Sequence, residues 1–235
     1  MEVFIKFKFL KVFLKAFFFI LNSRQIVLQF ACMIITNHGK QFFKIQQGDT
    51  VIAINPISRD SKEFNKVKFG SNIVLVTTNH PDFNGVENAT YGDNEPFIVD
   101  SPGEYEINDI FVTGFETKSL IDGKEYYNTV YKIRFEGMVI VFCGSISDVL
   151  ESKIKEQIQE PDVLFVPIQG NNTISPAQAH KLATSLEAHA VIPMDYDEAN
   201  LKYFLKESGE NPKPVDKITL KKKDFSDMKG EVFIF

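Results

Sequence analysis

The order in which hydrophobic periods appear along the chain constrains its fold most. From residue 33 to residue 143 the apolar residues come in short runs bounded by turn residues, with the alternating or continuous pattern of strands. Only beyond residue 143 does a helical spacing appear, at Leu150, Ile154 and Ile158. Strands are predicted over residues 33–36, 42–46, 51–54, 73–77, 97–99, 110–113, 129–135 and 138–143. Asn37-His38-Gly39-Lys40 and Gln47-Gly48-Asp49 supply turns between the first three, and Glu136-Gly137 a tight hairpin. The later part alternates. A buried strand is predicted over 163–167. Ser175-Pro176 then opens a helix whose buried face is Ala179, Leu182, Ala183 and Leu186. A strand follows over 190–192, and a last helix carries Leu201, Phe204 and Leu205 and stops at Gly209. Strands first and strand–helix units after predict one α/β domain of layered sheets, covering residues 33–235.

Residues 1–32 read differently. They are rich in Phe interrupted by Lys, and their longest uncharged apolar run, residues 16–21, is far too short to span a bilayer. Lys8, Lys11 and Lys15 share one helical face, which admits an interfacial membrane anchor. The favoured expectation is a leader outside the fold, with the first strand of the domain opening at Met33. Lys6, Lys8, Lys11, Lys15 and Arg24 against Glu2 give this segment a net +4, which leaves −9 of the chain's −5 on residues 33–235. A domain so acidic is a poor binder of phosphate backbones, so no nucleic-acid partner is expected. Cys32 and Cys143 show no metal-binding or redox spacing, and so few thiols fit a reducing cytoplasm.

Several stretches resemble the metallo-β-lactamase superfamily, in the branch of ascorbate-6-phosphate-lactonase-like hydrolases. They are Met33-Ile34-Ile35-Thr36 with Gly39 and Phe43-Lys44-Ile45, then Val51-Ile52-Ala53-Ile54-Asn55-Pro56, and Pro102-Gly103-Glu104-Tyr105-Glu106. Val112-Thr113-Gly114, Asp162-Val163-Leu164-Phe165-Val166-Pro167 and Val191-Ile192-Pro193-Met194 follow in order. The resemblance spans residues 33–235 and implies an αββα sandwich with metal bound at one edge of two packed sheets.

The metal-binding pattern of that family is altered here. Its buried strand ends in Thr-His-x-His-x-Asp-His, whereas this chain reads Thr77-Thr78-Asn79-His80-Pro81-Asp82-Phe83. His80 and Asp82 remain, while Thr78 and Phe83 stand where the family has histidines. By the same resemblance, Ser119 and Asp195 fall at two further His positions, Ser145 at the bridging Asp, and Asn55 at the supporting Asp before proline. An independent count agrees. A dinuclear zinc site of this kind needs about five imidazoles, and the chain has four histidines, of which His38, His180 and His189 lie elsewhere in the pattern.

His80, Asp82 and Asp195 are thus the weak metal candidates, and His80 and Asp82 the residual acid–base pair. Their bland alternatives are a loop anchored by backbone N–H bonds to Asp82, His80 packed at a sheet edge, and Asp195 as a helix cap. Ser145 has no predicted base beside it and reads as a turn serine. The resemblance also implies that Lys40 sits near the same edge, where it could pair with Asp82. The expected function is a non-catalytic binding or scaffold protein with a small molecule or protein in the former cleft, and no metal. The competing expectation is a diverged hydrolase of lactones, esters or phosphoesters, using one weakly held zinc or other divalent ion at His80 and Asp82.

Overall fold

The computed structural model describes residues 32–63, 66–92 and 95–235. The leader and its membrane-anchor reading lie outside the described residues. In chain order the strands are β1 (Met33–Asn37), β2 (Phe43–Gln47), β3 (Thr50–Ile54), β4 (Ile73–Leu75), β5 (Phe97–Val99), β6 (Gly103–Ile107), β7 (Ile110–Ile121), β8 (Lys124–Phe135) and β9 (Met138–Phe142). Helix α1 (Ser152–Gln157), β10 (Val163–Pro167), α2 (Pro176–Ser185), β11 (Ala190–Met194), α3 (Glu198–Ser208), β12 (Ile218–Leu220) and β13 (Glu231–Val232) complete them.

Two mixed sheets result, ordered β12-β1-β2-β3-β4-β5 and β13-β11-β10-β9-β8-β7-β6. Strand alternation decides what faces what. Phe43 and Ile45 of β2 point inward with Ile52 and Ile54 of β3, and Tyr131 and Ile133 of β8 meet them from the other sheet beside Phe142 and Phe165. Val141, Leu164, Val166 and Val191 lie on the outer face of the second sheet, under Ile154, Leu182, Leu186 and Phe204 of the helical layer. The outer face of the first sheet is covered more sparsely. Ala53, Val74 and Val76 pack under Phe42, Ile57 and Ala89, supplied by loops and a short 3-10 turn, Val86–Asn88. This is the predicted sandwich, and among the described residues loops rather than a long helix cover one outer side.

Local signals account for the helix ends. Ser175 caps α2 through a reciprocal box with Gln178, and Pro176 opens its first turn. Gly209, at φ 73°, closes α3 in the left-handed conformation. The four-residue spacing overstates α1, since Leu150 and Ile158 flank it and Ile154 alone is its buried residue. The segments over 110–113 and 129–135 prove to be parts of a hairpin of two twelve-residue strands. No helix among the described residues is long and apolar enough to cross a membrane.

Strand direction sets where a site can form. β3 and β4 run parallel, as do β9, β10 and β11, with Ile54 beside Leu75 and Pro167 beside Met194. Their carboxyl ends therefore open at one edge of the sandwich, the usual place for a ligand in a parallel arrangement. The two sheets are stitched together there by the Thr129 N–H, which donates to the Thr77 carbonyl at 2.8 Å.

Candidate functional site

The residues just past these strand ends form the site: Asn55 after β3, Thr77 to Asp82 after β4, Ser145 after β9 and Asp195 after β11. The β1–β2 turn adds Lys40 and Gln41. Lys40, Asn55 and Asp195 all hold left-handed backbone, at φ 46°, 50° and 53°. Non-glycine residues in that region cost free energy and gather where geometry matters. The turn bearing Lys40 is clamped by Asn37, whose side-chain oxygen accepts from the Gly39 N–H at 2.7 Å. His38 packs its ring against Phe42 and Phe69 and belongs to that turn's support.

Three buried amides hold the floor. Asn128 of β8 is fully enclosed and uses its whole bonding capacity. Its Oδ1 accepts from the Ser145 N–H at 3.0 Å and the Thr78 hydroxyl at 3.2 Å. Its Nδ2 donates to Thr117 Oγ1 at 2.8 Å and to the Cys143 carbonyl at 3.0 Å. Asn55 accepts from the Thr77 N–H at 2.8 Å and donates to Thr77 Oγ1 at 2.9 Å and to Gln41 Oε1 at 3.3 Å. Gln41 in turn donates to Ser145 Oγ at 2.7 Å and to Asp195 Oδ2 at 3.3 Å. Four positions where the family pattern places a charged or imidazole group, Asn55, Thr78, Ser145 and Asp195, are thus tied into one network. Ser119, a fifth, is fully buried, and its hydroxyl has no hydrogen-bond partner among the described residues.

Above the floor sits an ion pair. Lys40 Nζ donates to Asp82 Oδ2 at 2.5 Å, and Ser61 Oγ donates to Asp82 Oδ1 at 2.5 Å. Burial works against both charges, but these bonds and the attraction between the partners outweigh it, holding the Asp82 carboxyl below and the Lys40 ammonium above their ordinary ranges. Asp195 goes the other way: burial raises its pKa, only partly opposed by Lys40 and Gln41. The Asp82 backbone N–H donates to His80 Nδ1 at 3.2 Å, and the His80 ring lies between Phe83 and Tyr126. The cavity enclosed by these groups has a volume of about 400 Å³, with the β7–β8 hairpin contributing Leu120, Ile121 and Asp122 to one wall.

Two expectations need correction. The carboxylate of Asp82 is held by Lys40 and Ser61 rather than by backbone N–H groups. Asp195 is not a helix cap: Asp197 caps α3 by accepting from the Asn200 N–H at 2.7 Å, and Asp195 faces the cleft. His80 does pack at the sheet edge, and Lys40 does pair with Asp82. Nucleophilic chemistry finds no support at Ser145, whose hydroxyl accepts from an amide, nor at Cys143, whose thiol burial pushes up to about 12. His180 and His189 line a separate cavity of about 510 Å³ around the amino-terminal end of β11. Gln41, Asn128 and Ser61 were not among the sequence candidates. An Asn inside a strand is unfavourable unless something bonds it, so Asn128 was the detectable one.

Fold and strand-end site together define a protein of the metallo-β-lactamase type. Residues 34–195 match the family described as the beta-lactamase superfamily domain, and the chain belongs to that superfamily. Among solved structures it is similar to a proposed Zn-dependent hydrolase of the metallo-β-lactamase superfamily from Thermotoga maritima, at 26% identity and a TM-score of 0.70, covering 86% of this chain and 97% of that one. A proposed metal-dependent hydrolase from Parabacteroides distasonis matches at 18% identity and TM-score 0.60, over 76% of this chain and 90% of its own. A metallo hydrolase from Ignicoccus hospitalis matches at 19% identity and TM-score 0.59, over 81% and 99%. The last two bear on the fold alone. No curated protein matches the sequence.

Proposed function

We propose that this is a metallo-β-lactamase-fold protein whose cleft works without a metal ion, as a non-catalytic binding or scaffold site for a small molecule or protein. One observation carries the reading: Asn55, Ser145 and above all Asp82 are hydrogen-bonded by the chain's own groups, Asp82 by Lys40 and Ser61. Zinc takes three or four N, S or O ligands at about 2.0–2.3 Å. Among the described residues, no group of three or more His, Cys, Asp or Glu is arranged to hold a metal ion. His80 Nδ1 already accepts a hydrogen bond, Phe83 offers no lone pair, and an incoming cation meets the Lys40 ammonium. This donor set does not fit the metal that the family's hydrolases use, so no hydrolytic step is derived through one.

The alternative is a diverged hydrolase of lactones, esters or phosphoesters with one weakly bound zinc or other divalent ion at His80 and Asp82. Family membership favours it, but it requires Asp82 to leave Lys40. Assays of the full chain on lactone, β-lactam and phosphodiester substrates, with and without added zinc or manganese, separate the two. The metal-free reading expects no turnover above background. Metal-dependent turnover that His80→Ala and Asp82→Ala abolish together would replace it with the alternative.

A further inference from the structure

We propose that the Lys40 ammonium is itself the cation around which this cleft is built, standing in the electrostatic place of a metal ion and holding together the loops that follow β3, β4 and β11. The proposal rests on the metal-free reading above and goes beyond it, because it assigns the vacated role to a named residue of the chain.

The geometry supports it from several sides. Lys40 reaches Asp82 from 42 residues away in sequence, at 2.5 Å. Glu63 and Asp195 line the same cavity as Lys40 and Asp82, so carboxylates from three separate loops face one ammonium and favour its charged form. The loops after β3 and β4 are also joined by backbone bonds, from the Ser58 N–H to the Pro81 carbonyl at 2.8 Å and from the Gly85 N–H to the Pro56 carbonyl at 2.7 Å, and mutual repulsion of the clustered carboxylates opposes that approach. A divalent ion relieves such repulsion in a metal site. Here a single tethered charge does so, supported by the amides below, where Asn55 and Ser145 carry no charge that would need a second cation. The tether itself is specified. Lys40 holds φ 46°, a conformation that costs free energy for a residue with a side chain, and the Asn37 clamp keeps it there. Lys40 also remains on the cavity wall, with about a quarter of its side chain exposed (28%), so it faces whatever enters.

Chemical rescue tests this. Lys40→Ala is compared with the unaltered chain by thermal unfolding at low ionic strength, with added methylammonium chloride as the probe and sodium chloride at equal ionic strength as the control. The substitution is expected to lower Tm by about 3–8 °C. Methylammonium should restore a measurable part of that loss beyond what sodium does, and should leave the unaltered chain unchanged. A Tm within about 1 °C of the unaltered chain, or a loss that methylammonium restores no better than sodium, would overturn the proposal. If Lys40→Ala does not fold, Lys40→Arg against Lys40→Gln asks the same question. Arg should retain most of the stability and Gln should not, and equal losses would overturn it. These outcomes are separate from the fate of the metal-free reading, which falls only if the unaltered chain holds stoichiometric metal or shows metal-dependent turnover.

Discussion

Asn128 is the residue on which the floor of the cleft depends. Its replacement by Ala leaves the Ser145 N–H, the Thr78 hydroxyl and the Cys143 carbonyl short of a partner in a buried setting. Each such group costs about 1–3 kcal/mol, so Asn128→Ala is expected to lose on the order of 3 kcal/mol or more in urea unfolding. The carboxylates give opposite pH signatures. Asp82 has a lowered pKa, so its contribution is present above its unfolded value near 3.8 and is lost as pH falls through the lower folded value. Lys40 has a raised pKa, and its contribution persists below about 10.5 and disappears as pH rises through the higher folded value. Asp195 has a raised pKa, so the folded state loses stability as pH rises from 3.8 to its folded value. Asp195→Asn should therefore be more stable than the parent at neutral pH, with the difference vanishing below 3.8 in pH-dependent thermal melts. Lys40 offsets only part of the cost of burying that charge, and a neutral variant less stable than its parent would show that the attraction to Lys40 outweighs burial. Sequence reading located His80, Asp82, Ser145 and Asp195 because the family pattern fixes those positions. It missed Gln41, since a single Gln before two Phe has no periodic or motif signature.

At the scale of elements, the turn after β9 is the tightest joint in the site. Gly144 holds φ 64°, and a Cβ there would lie 2.3 Å from Asn128 Oδ1 and 2.9 Å from Thr77 Oγ1. Gly144→Ala must therefore displace the amide floor, and a loss of about 2–4 kcal/mol by denaturant unfolding is expected. Ser175→Ala at the cap of α2 should cost only about 1 kcal/mol, because the rest of that helix is pinned by Ala179 and Leu182. The buried strands were legible because their neighbours on both faces are apolar, as at residues 163–167, where all five positions are enclosed. The outer half of the β7–β8 hairpin was not. There Glu116, Lys118, Lys124 and Glu125 face solvent, and pairing with the opposite strand rather than burial holds the chain extended. The edge pieces β12 and β13 escaped notice for a related reason: three and two residues are too short to show a period.

For the whole molecule, the proposed boundary at residue 33 and the proposed metal-free cleft are the two readings to test. β1 lies between β12 and β2, with Met33 and Ile35 in the core, so the sandwich has its first strand intact from Met33 onward. A chain of residues 33–235 is expected to stay soluble and unfold in one cooperative transition, and loss of cooperativity would assign residues 1–32 to the fold. With a net charge of −9, the same chain should show no salt-sensitive, sub-micromolar binding of DNA or RNA in a fluorescence titration. The central claim, that the cleft is neutralised from within, is tested most directly by elemental analysis of the full chain purified without added metal. The account predicts well under one zinc, manganese or iron per chain, unchanged in His80→Ala and Asp82→Ala. One tightly held metal per chain that disappears in His80→Ala would contradict it.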